Sequence, residues 1–186
     1  VRLTVDCASR DFNRSQYAGA GNLCKRIGIY RYNSNPENWY EWVFRRIPFG
    51  RADRILEFAC GNGELWRRNL ERVPEDAEIT LSDLNERMLE DCAANLSGSR
   101  DRFRLAVMDL LDIPPGIGPF SIVIANHALY HLADKRGALA RIAGMLAPGG
   151  RFVATTIGRE DNQELGALFS GYSARIEFSP AGVAAS

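Results

Sequence analysis

Short apolar runs alternate with segments of helical periodicity from about residue 52 onward. Five runs have the length and residue types of β-strands, at residues 54–58, 78–82, 103–107, 120–125 and 150–156. The segments between them repeat apolar side chains at helical spacing, namely Leu65, Trp66 and Leu70, then Met88, Leu89, Cys92 and Leu96, then Leu139, Ile142 and Met145 before a stop at "APGG". Alternating strands and helices predict an α/β, doubly wound, mostly parallel sheet with helices on both faces.

The first 48 residues have a different pattern, rich in aromatic side chains. Asn35 is suited to cap a helix that has Pro36 in its first position, with an apolar face of Tyr40, Val43, Phe44 and Ile47. An earlier helix is indicated by Leu23, Ile27 and Tyr30. We therefore expect residues 1–48 to form an N-terminal helical cap on a core of residues 49–186, within one domain.

Composition narrows the class of protein. The 186 residues are 46% hydrophobic and 25% charged, which is typical of a globular domain. Lys and Arg together number 23, as do Asp and Glu, so the net charge is zero and the broad basic surface of a nucleic-acid or membrane partner is absent. The four cysteines form no C-x-x-C pair, so we expect neither a metal site nor a disulfide framework. No signal-like segment precedes the first strand, and we expect a cytoplasmic protein.

The stretch "ILEFACGNGELW" runs from the first strand into a helix. It fails the dinucleotide pattern G-x-G-x-x-G, because Ala59 takes the first glycine position and nothing supplies the third. Gly61 and Gly63 still allow a ligand to approach the backbone closely. Glu57 would repel a pyrophosphate but attract an ammonium group, so the loop favours a cofactor without phosphates.

Polar residues also follow the next three strands. Asp83 ends the second strand, twenty residues after Gly63, where an acidic group can accept hydrogen bonds from ribose hydroxyls. Asp109 follows the third strand and is placed to accept from an adenine amine, and Asn126 closes the fourth. Ligands of such sheets lie beyond the carboxyl ends of the strands, so we expect these residues and Glu57 to converge there.

Five stretches, "ILEFACGNG", "ITLSDLNERML", "AVMDLLDIP", "FSIVIANHALYHLAD" and "LAPGGRFVATT", resemble in order and spacing the motifs of the class I S-adenosylmethionine-dependent methyltransferases. The resemblance covers roughly residues 30–160 and implies a Rossmann-like fold with S-adenosylmethionine as cofactor and S-adenosylhomocysteine as product. It departs from the family at Ala59, where glycine is usual. It also implies a set of cofactor contacts: Glu57 and the backbone of Ala59, Cys60, Gly61 and Gly63 for the methionine part, Asp83 with Leu84 for the ribose, Asp109, Leu110 and Met88 for the adenine, and Asn126 for the methionine amine.

The segment "NHALYHLAD" holds both histidines of the chain, four residues apart, which would share a face if the segment were helical. A metal site, a structural role at the strand–helix junction and a substrate-facing role are the three alternatives. A metal site is disfavoured because the glutamate of H-E-x-x-H is missing. Methyl transfer needs a base only when the acceptor must lose a proton, and the candidate catalytic residues are His127, Tyr130 and His131.

Aromatic residues ahead of the sheet suggest a lid, since helices in this position often cover the cofactor in the family. Tyr32 is then placed to contact the carboxylate of the cofactor. Trp39 and Trp42 either form an acceptor pocket or attach the extra helices to the sheet.

We expect a small-molecule acceptor, because the fourth-strand segment lacks the N-P-P-Y or D-P-P-Y sequence of base-methylating relatives and the net charge is zero. The alternatives are an NAD(P)-dependent oxidoreductase, an inactive partner-binding subunit, and a relative that uses the cofactor for other chemistry. "NQELGALFSGY" and "SARIEFS" predict a further helix and one strand without a partner. We therefore expect a truncated chain, or a homo-oligomer or partner chain that covers the sheet edge.

Overall fold

A computed structural model describes residues 28, 32, 35–51, 53–114 and 116–158 of the chain. Its centre is a sheet of five strands: β1 (Arg54–Phe58), β2 (Glu78–Asp83), β3 (Phe103–Val107), β4 (Phe120–Asn126) and β5 (Leu146–Thr155). The strand order is β3-β2-β1-β4-β5, and every neighbouring pair is parallel. The chain leaves β1 towards β2 and later returns to its other side as β4. The order of the strands therefore reverses between β1 and β4, as in the predicted doubly wound fold.

Four α-helices lie within the described residues: α1 (Trp39–Phe44), α2 (Glu64–Arg68), α3 (Glu86–Asn95) and α4 (Lys135–Met145). Short 3₁₀ turns cover Leu70–Arg72, Ser97–Arg102 and Leu129–His131. As expected from the "APGG" stop, α4 ends at Met145. However, β5 begins at once with Leu146 and includes the "APGG" residues, so the predicted start at residue 150 is wrong. A register irregularity in the pairing of β4 with β5 between Phe120 and Ile122 accommodates this start.

The predicted start of the first helix is also wrong. The helix begins at Trp39, where the Asn38 side chain caps it by accepting from the Tyr40 N–H at 3.0 Å. Asn35 instead accepts from the Glu37 N–H at 3.0 Å in the turn before the helix. Both asparagines have cap chemistry, and the one nearer the buried apolar face is used.

Two apolar cores cover the two faces of the sheet. The predicted apolar face of the first helix reaches one core through its buried members Val43, Phe44 and Ile47, together with α2 and α3. The other core contains Ala138, Ile142 and Met145 of α4. The predicted burial of Leu139 is wrong, because Leu139 is 44% exposed and the neighbouring Ala138 packs in the core instead. Helices on both faces confirm the layered architecture, and α1 packs against the same core as α2.

The predicted helix around Leu23 and the two C-terminal elements lie outside the described residues. None of the helices that the structure describes is long and apolar enough to cross a membrane.

Candidate cofactor and acceptor site

The loop after β1 has a left-handed backbone at three of its residues. The φ angles are 52° at Ala59, 58° at Gly61 and 73° at Gly63. The Cys60 N–H donates to the Ser82 carbonyl at 2.9 Å, which joins the turn to β2. A side chain with a β-carbon is strained in this conformation by about 1–2 kcal/mol, and Ala59 bears that strain. The geometry therefore explains in physical terms why glycine suits this position.

Gly63 lies where the loop meets α3. A β-carbon added there would sit 2.6 Å from Cys92 Sγ and 3.2 Å from Leu96 Cδ1. The Asn95 amide donates to the Asn62 carbonyl at 2.9 Å and ties α3 to the same loop. A close backbone approach and a hydrogen bond thus fix the far end of the loop.

Cys60 and Cys92 are buried free thiols beneath this loop. A hydrogen bond with the Cys92 side chain, followed by burial, holds the pKa of Cys60 well above its usual range. The Cys60 side chain is therefore an uncharged thiol that packs against the helix, which leaves its backbone as the part suited to a ligand.

Glu57 is a carboxylate buried at the end of the central strand, with 2% of its surface exposed. Trp66 Nε1–H donates to its Oε2 at 2.5 Å, and the Asn126 amide donates to its Oε1 at 3.4 Å. Burial raises the pKa of Glu57 to about 7. The hydrogen bonds from Trp66 and Asn126 lower this pKa, and the negative charge of Asp83 raises it further. Thr155 Oγ1–H donates to Asn126 Oδ1 at 3.1 Å, so β1, α2, β4 and β5 all position this group.

Asp83 ends β2 and is 9% exposed. The N–H groups of Gly61 and Asn85 donate to its two carboxylate oxygens at 3.1 and 2.9 Å. Burial raises the pKa of Asp83, while the backbone hydrogen bonds from Asn85, Gly61 and Leu84 act against that rise. The side chain consequently shapes the loop after β1 and also presents acidic oxygen atoms at the carboxyl end of β2.

The end of β3 adjoins the end of β2 through the Met108 N–H, which donates to the Asp83 carbonyl at 3.1 Å. Asp109 follows, and its Oδ1 accepts from the Leu111 N–H at 2.8 Å. Leu110 and Met88 are buried, with 6% and 1% exposure. The acidic residues predicted at the ends of three strands, Glu57, Asp83 and Asp109, therefore lie along the side of the sheet where the carboxyl ends of the strands meet.

The segment after β4 is not an α-helix, so the condition for a shared helical face of the two histidines is not met. His127 has a φ of 51°, and the following 3₁₀ turn covers Leu129–His131. The ring of His127 lies 4.8 Å from that of Trp39 and 6.3 Å from that of Tyr130, which lies 4.3 Å from His131. The three candidate catalytic residues thus belong to one row of aromatic rings that Trp39 extends to α1.

Other sequence candidates lie apart from this row. Tyr32 is 74% exposed, so its contact with the cofactor stays a prediction. The guanidinium of Arg46 covers the Trp42 ring at 3.8 Å, and Trp42 packs against the same core as α1, which fits an attachment role. In the described part of the chain, no group of three or more His, Cys, Asp or Glu residues is arranged to hold a metal ion.

Sequence comparison decides the family to which this arrangement belongs. A family model described as "Methyltransferase domain" matches residues 55–150, just over half of the chain. The chain belongs to the class I S-adenosylmethionine-dependent methyltransferase family. Its parallel five-strand sheet with helices on both faces matches the Rossmann-like fold of the solved methyltransferase structures.

Individual relatives of the chain are distant. A demethylmenaquinone methyltransferase of Symbiobacterium thermophilum is 29% identical over 63% of this chain and 47% of its own. The glycopeptide N-methyltransferase MtfA, solved with S-adenosylmethionine, is 27% identical with a TM-score of 0.51, over 61% of this chain and 50% of its own. The [4+2]-cyclase SpnF matches with a TM-score of 0.65 at 18% identity, over 84% of this chain and 61% of its own, and this likeness shows the fold alone. The chain spans about half the length of the curated relatives it matches.

The family implies S-adenosylmethionine as the cofactor. The residues at the strand ends of this chain fit it, because Glu57 and Asp83 offer acidic oxygen atoms for an ammonium group and for hydroxyls. Between them, Gly61 has no side chain to obstruct a ligand at the loop.

Sequence reasoning missed three contributors to the site. Periodicity places Trp66 on the apolar face of a helix and nothing more, yet its indole N–H donates to the Glu57 carboxylate. Ser82 Oγ–H donates to the Glu57 carbonyl at 2.9 Å, and Thr155 holds Asn126. Ser82 and Thr155 could have been found from the sequence, because each is a polar residue at the carboxyl end of a strand. Side chains at these strand ends lie on the same side of the sheet as Asp83 and Asn126.

Proposed function

We propose that this methyltransferase binds S-adenosylmethionine across the carboxyl ends of β1 to β4 and transfers its methyl group to a small-molecule acceptor. The methionine part then meets Glu57, the amine lies near Asn126 and the carboxylate near Tyr32. The remaining contacts are those of the family motifs: the backbone of Ala59, Cys60, Gly61 and Gly63 along the methionine part, Asp83 and Leu84 at the ribose, and Met88, Asp109 and Leu110 at the adenine.

The pair of buried carboxylates at the ends of adjacent strands carries the proposal. A buried carboxylate is unfavourable unless hydrogen bonds or an opposite charge compensate it. Glu57 has two side-chain donors, one of them long at 3.4 Å, and Asp83 has backbone donors. A cationic amine next to Glu57 would supply the missing compensation. A pyrophosphate would add like charge to the same edge, which disfavours a nicotinamide cofactor.

When bound, the sulfonium supplies an activated methyl group. The S–CH₃ bond would break as the acceptor's nucleophilic atom forms its bond to the methyl carbon, with S-adenosylhomocysteine as the leaving group. The role of the chain is then to hold the acceptor in line with that bond and to exclude water. Where the acceptor must lose a proton, His127, Tyr130 or His131 would take it.

A small acceptor is supported by the net charge of zero and by the half-buried aromatic row beyond Asn126. The demethylmenaquinone methyltransferase that it resembles carries a small molecule in its name, which agrees with this choice. Residues 1–48 would then act as the cap over the site, because α1 brings Trp39 to its edge.

Calorimetry with S-adenosylhomocysteine tests the proposal. We expect micromolar binding to the unmodified chain, and a loss of at least about 30-fold, or about 2 kcal/mol, in Asp83→Ala. Glu78→Gln is the matched control, because Glu78 lies at the opposite end of the same strand with 61% of its side chain exposed. Binding of NAD in place of S-adenosylhomocysteine would overturn the proposal. Transfer of a labelled methyl group to nucleic acid or protein in extracts, rather than to small molecules, would overturn the choice of acceptor.

A further inference from the structure

Two aromatic residues from distant parts of the chain meet beside the proposed methyl site. Trp39 is the first residue of α1, and His127 directly follows β4. Their ring centroids are 4.8 Å apart with 33° between the planes. Both side chains are half-buried, and this separation is within the favourable range for aromatic pairs.

The backbone at His127 is held in a strained conformation. Its φ of 51° is left-handed, which is unfavourable for a residue with a β-carbon. The His127 N–H donates to the Thr155 carbonyl at 3.0 Å and so fixes this geometry. Strained residues of this kind concentrate at functional sites, where the strain aims a side chain. Because the backbone is fixed, the orientation of the imidazole depends on the groups that touch its ring.

Trp39 is held rigidly enough to set that orientation. The Asn38 cap fixes the start of α1, and Val43 and Phe44 anchor the helix in the core. The ring of Tyr40 meets Trp39 edge-on at 5.0 Å, and the Asn69 side chain donates to the Tyr40 carbonyl at 3.4 Å. The Trp39 indole is therefore a fixed wall on one side of His127.

The other neighbours of His127 lead to the cofactor side. Asn126, the preceding residue, donates to the Glu57 carboxylate, which the proposed function places at the methionine part of the cofactor. From these contacts we infer that Trp39 is a positioning residue that orients the His127 imidazole towards the acceptor. The inference rests on the proposed function for the identity of the acceptor side, and it makes α1 part of the acceptor site.

The two histidines of the chain allow a direct test by NMR of protein labelled with ¹³C at histidine Cε1. His131→Asn assigns the two signals. With S-adenosylhomocysteine added, we expect Trp39→Leu to move the His127 signal downfield, because the shielding ring is lost. Trp39→Phe retains a ring and should move it only part of the way.

Trp42→Leu is the matched control, since Trp42 lies on the same helix under the Arg46 guanidinium. We expect it to leave the His127 signal in place and to bind S-adenosylhomocysteine within about twofold of the unmodified chain. An unmoved His127 signal in Trp39→Leu, or an equal movement in Trp42→Leu, would overturn the inference. If Trp39→Leu does not fold, an unmoved signal in Trp39→Phe has the same meaning. Failure of the unmodified chain to bind S-adenosylhomocysteine would instead count against the proposed function.

Discussion

Replacing Glu57 by glutamine should remove the pH dependence that this buried carboxyl imposes on stability. Burial raises the pKa of Glu57 from 4.5 to about 7. The neutral form is thus favoured in the folded state, and its contribution to stability is complete below about pH 4.5 and is lost as pH rises through about 7. Each pKa unit corresponds to about 1.4 kcal/mol, so the loss amounts to about 3 kcal/mol. Glu57→Gln keeps the size of the side chain and cannot ionise.

Urea denaturation of both proteins between about pH 4 and pH 8 measures the effect. We expect the free energy of unfolding of Glu57→Gln, relative to the unmodified chain, to increase by about 3 kcal/mol across this range. Taking the difference between proteins removes the other titrating groups, and the change with pH removes any constant packing difference. Glu78→Gln is the control for removal of an exposed carboxylate. A difference for Glu57→Gln that does not change with pH, or that changes no more than that for Glu78→Gln, would refute the reasoning.

Two further predictions concern the loop. Ala59→Gly should raise the free energy of unfolding by about 0.5–1 kcal/mol, because relief of the left-handed strain exceeds the added flexibility of the unfolded chain. A decrease measured by urea denaturation would show that Ala59 is unstrained. Gly63→Ala should lower it by about 2–4 kcal/mol, since the added β-carbon meets Cys92 Sγ at 2.6 Å in a left-handed conformation. Gly98→Ala, with open space around the added carbon, is the control, and equal losses in the two variants would contradict the steric explanation.

The strands were predictable because central parallel strands are apolar on both faces. All four residues after Arg54 in β1 are buried, and such a run between turn residues has few other interpretations. The start of α1 was less accessible, since Asn35 and Asn38 both have cap chemistry. The choice between them depends on which turn brings the apolar face onto the core, and that contact is made with residues far along the chain.

Part of the candidate site could likewise be predicted from the sequence. The convergence of Glu57, Asp83 and Asn126 was predictable because the topology brings the carboxyl ends of parallel strands together. The hydrogen-bond partners of these residues could not be predicted. Helical periodicity places Trp66 on an apolar face, and it does so equally whether the indole N–H binds water or a buried carboxylate. Contacts between side chains of different elements depend on exact helix placement, which periodicity does not determine.

The strain in the backbone points to the same place as the carboxylates. Among the described residues, the non-glycine positions with a left-handed φ are Ala59 and His127, and each directly follows one of the neighbouring strands β1 and β4. The strand order reverses between these two strands, which is where ligands of doubly wound sheets lie. A fold under selection for stability alone would place glycine at both positions. Retaining side chains there costs about 1–2 kcal/mol at each. At His127 that cost has a functional explanation, because glycine would remove the imidazole that Trp39 orients. The Ala59 side chain is a single exposed methyl group, so Ala59→Gly is expected to gain stability without loss of cofactor affinity.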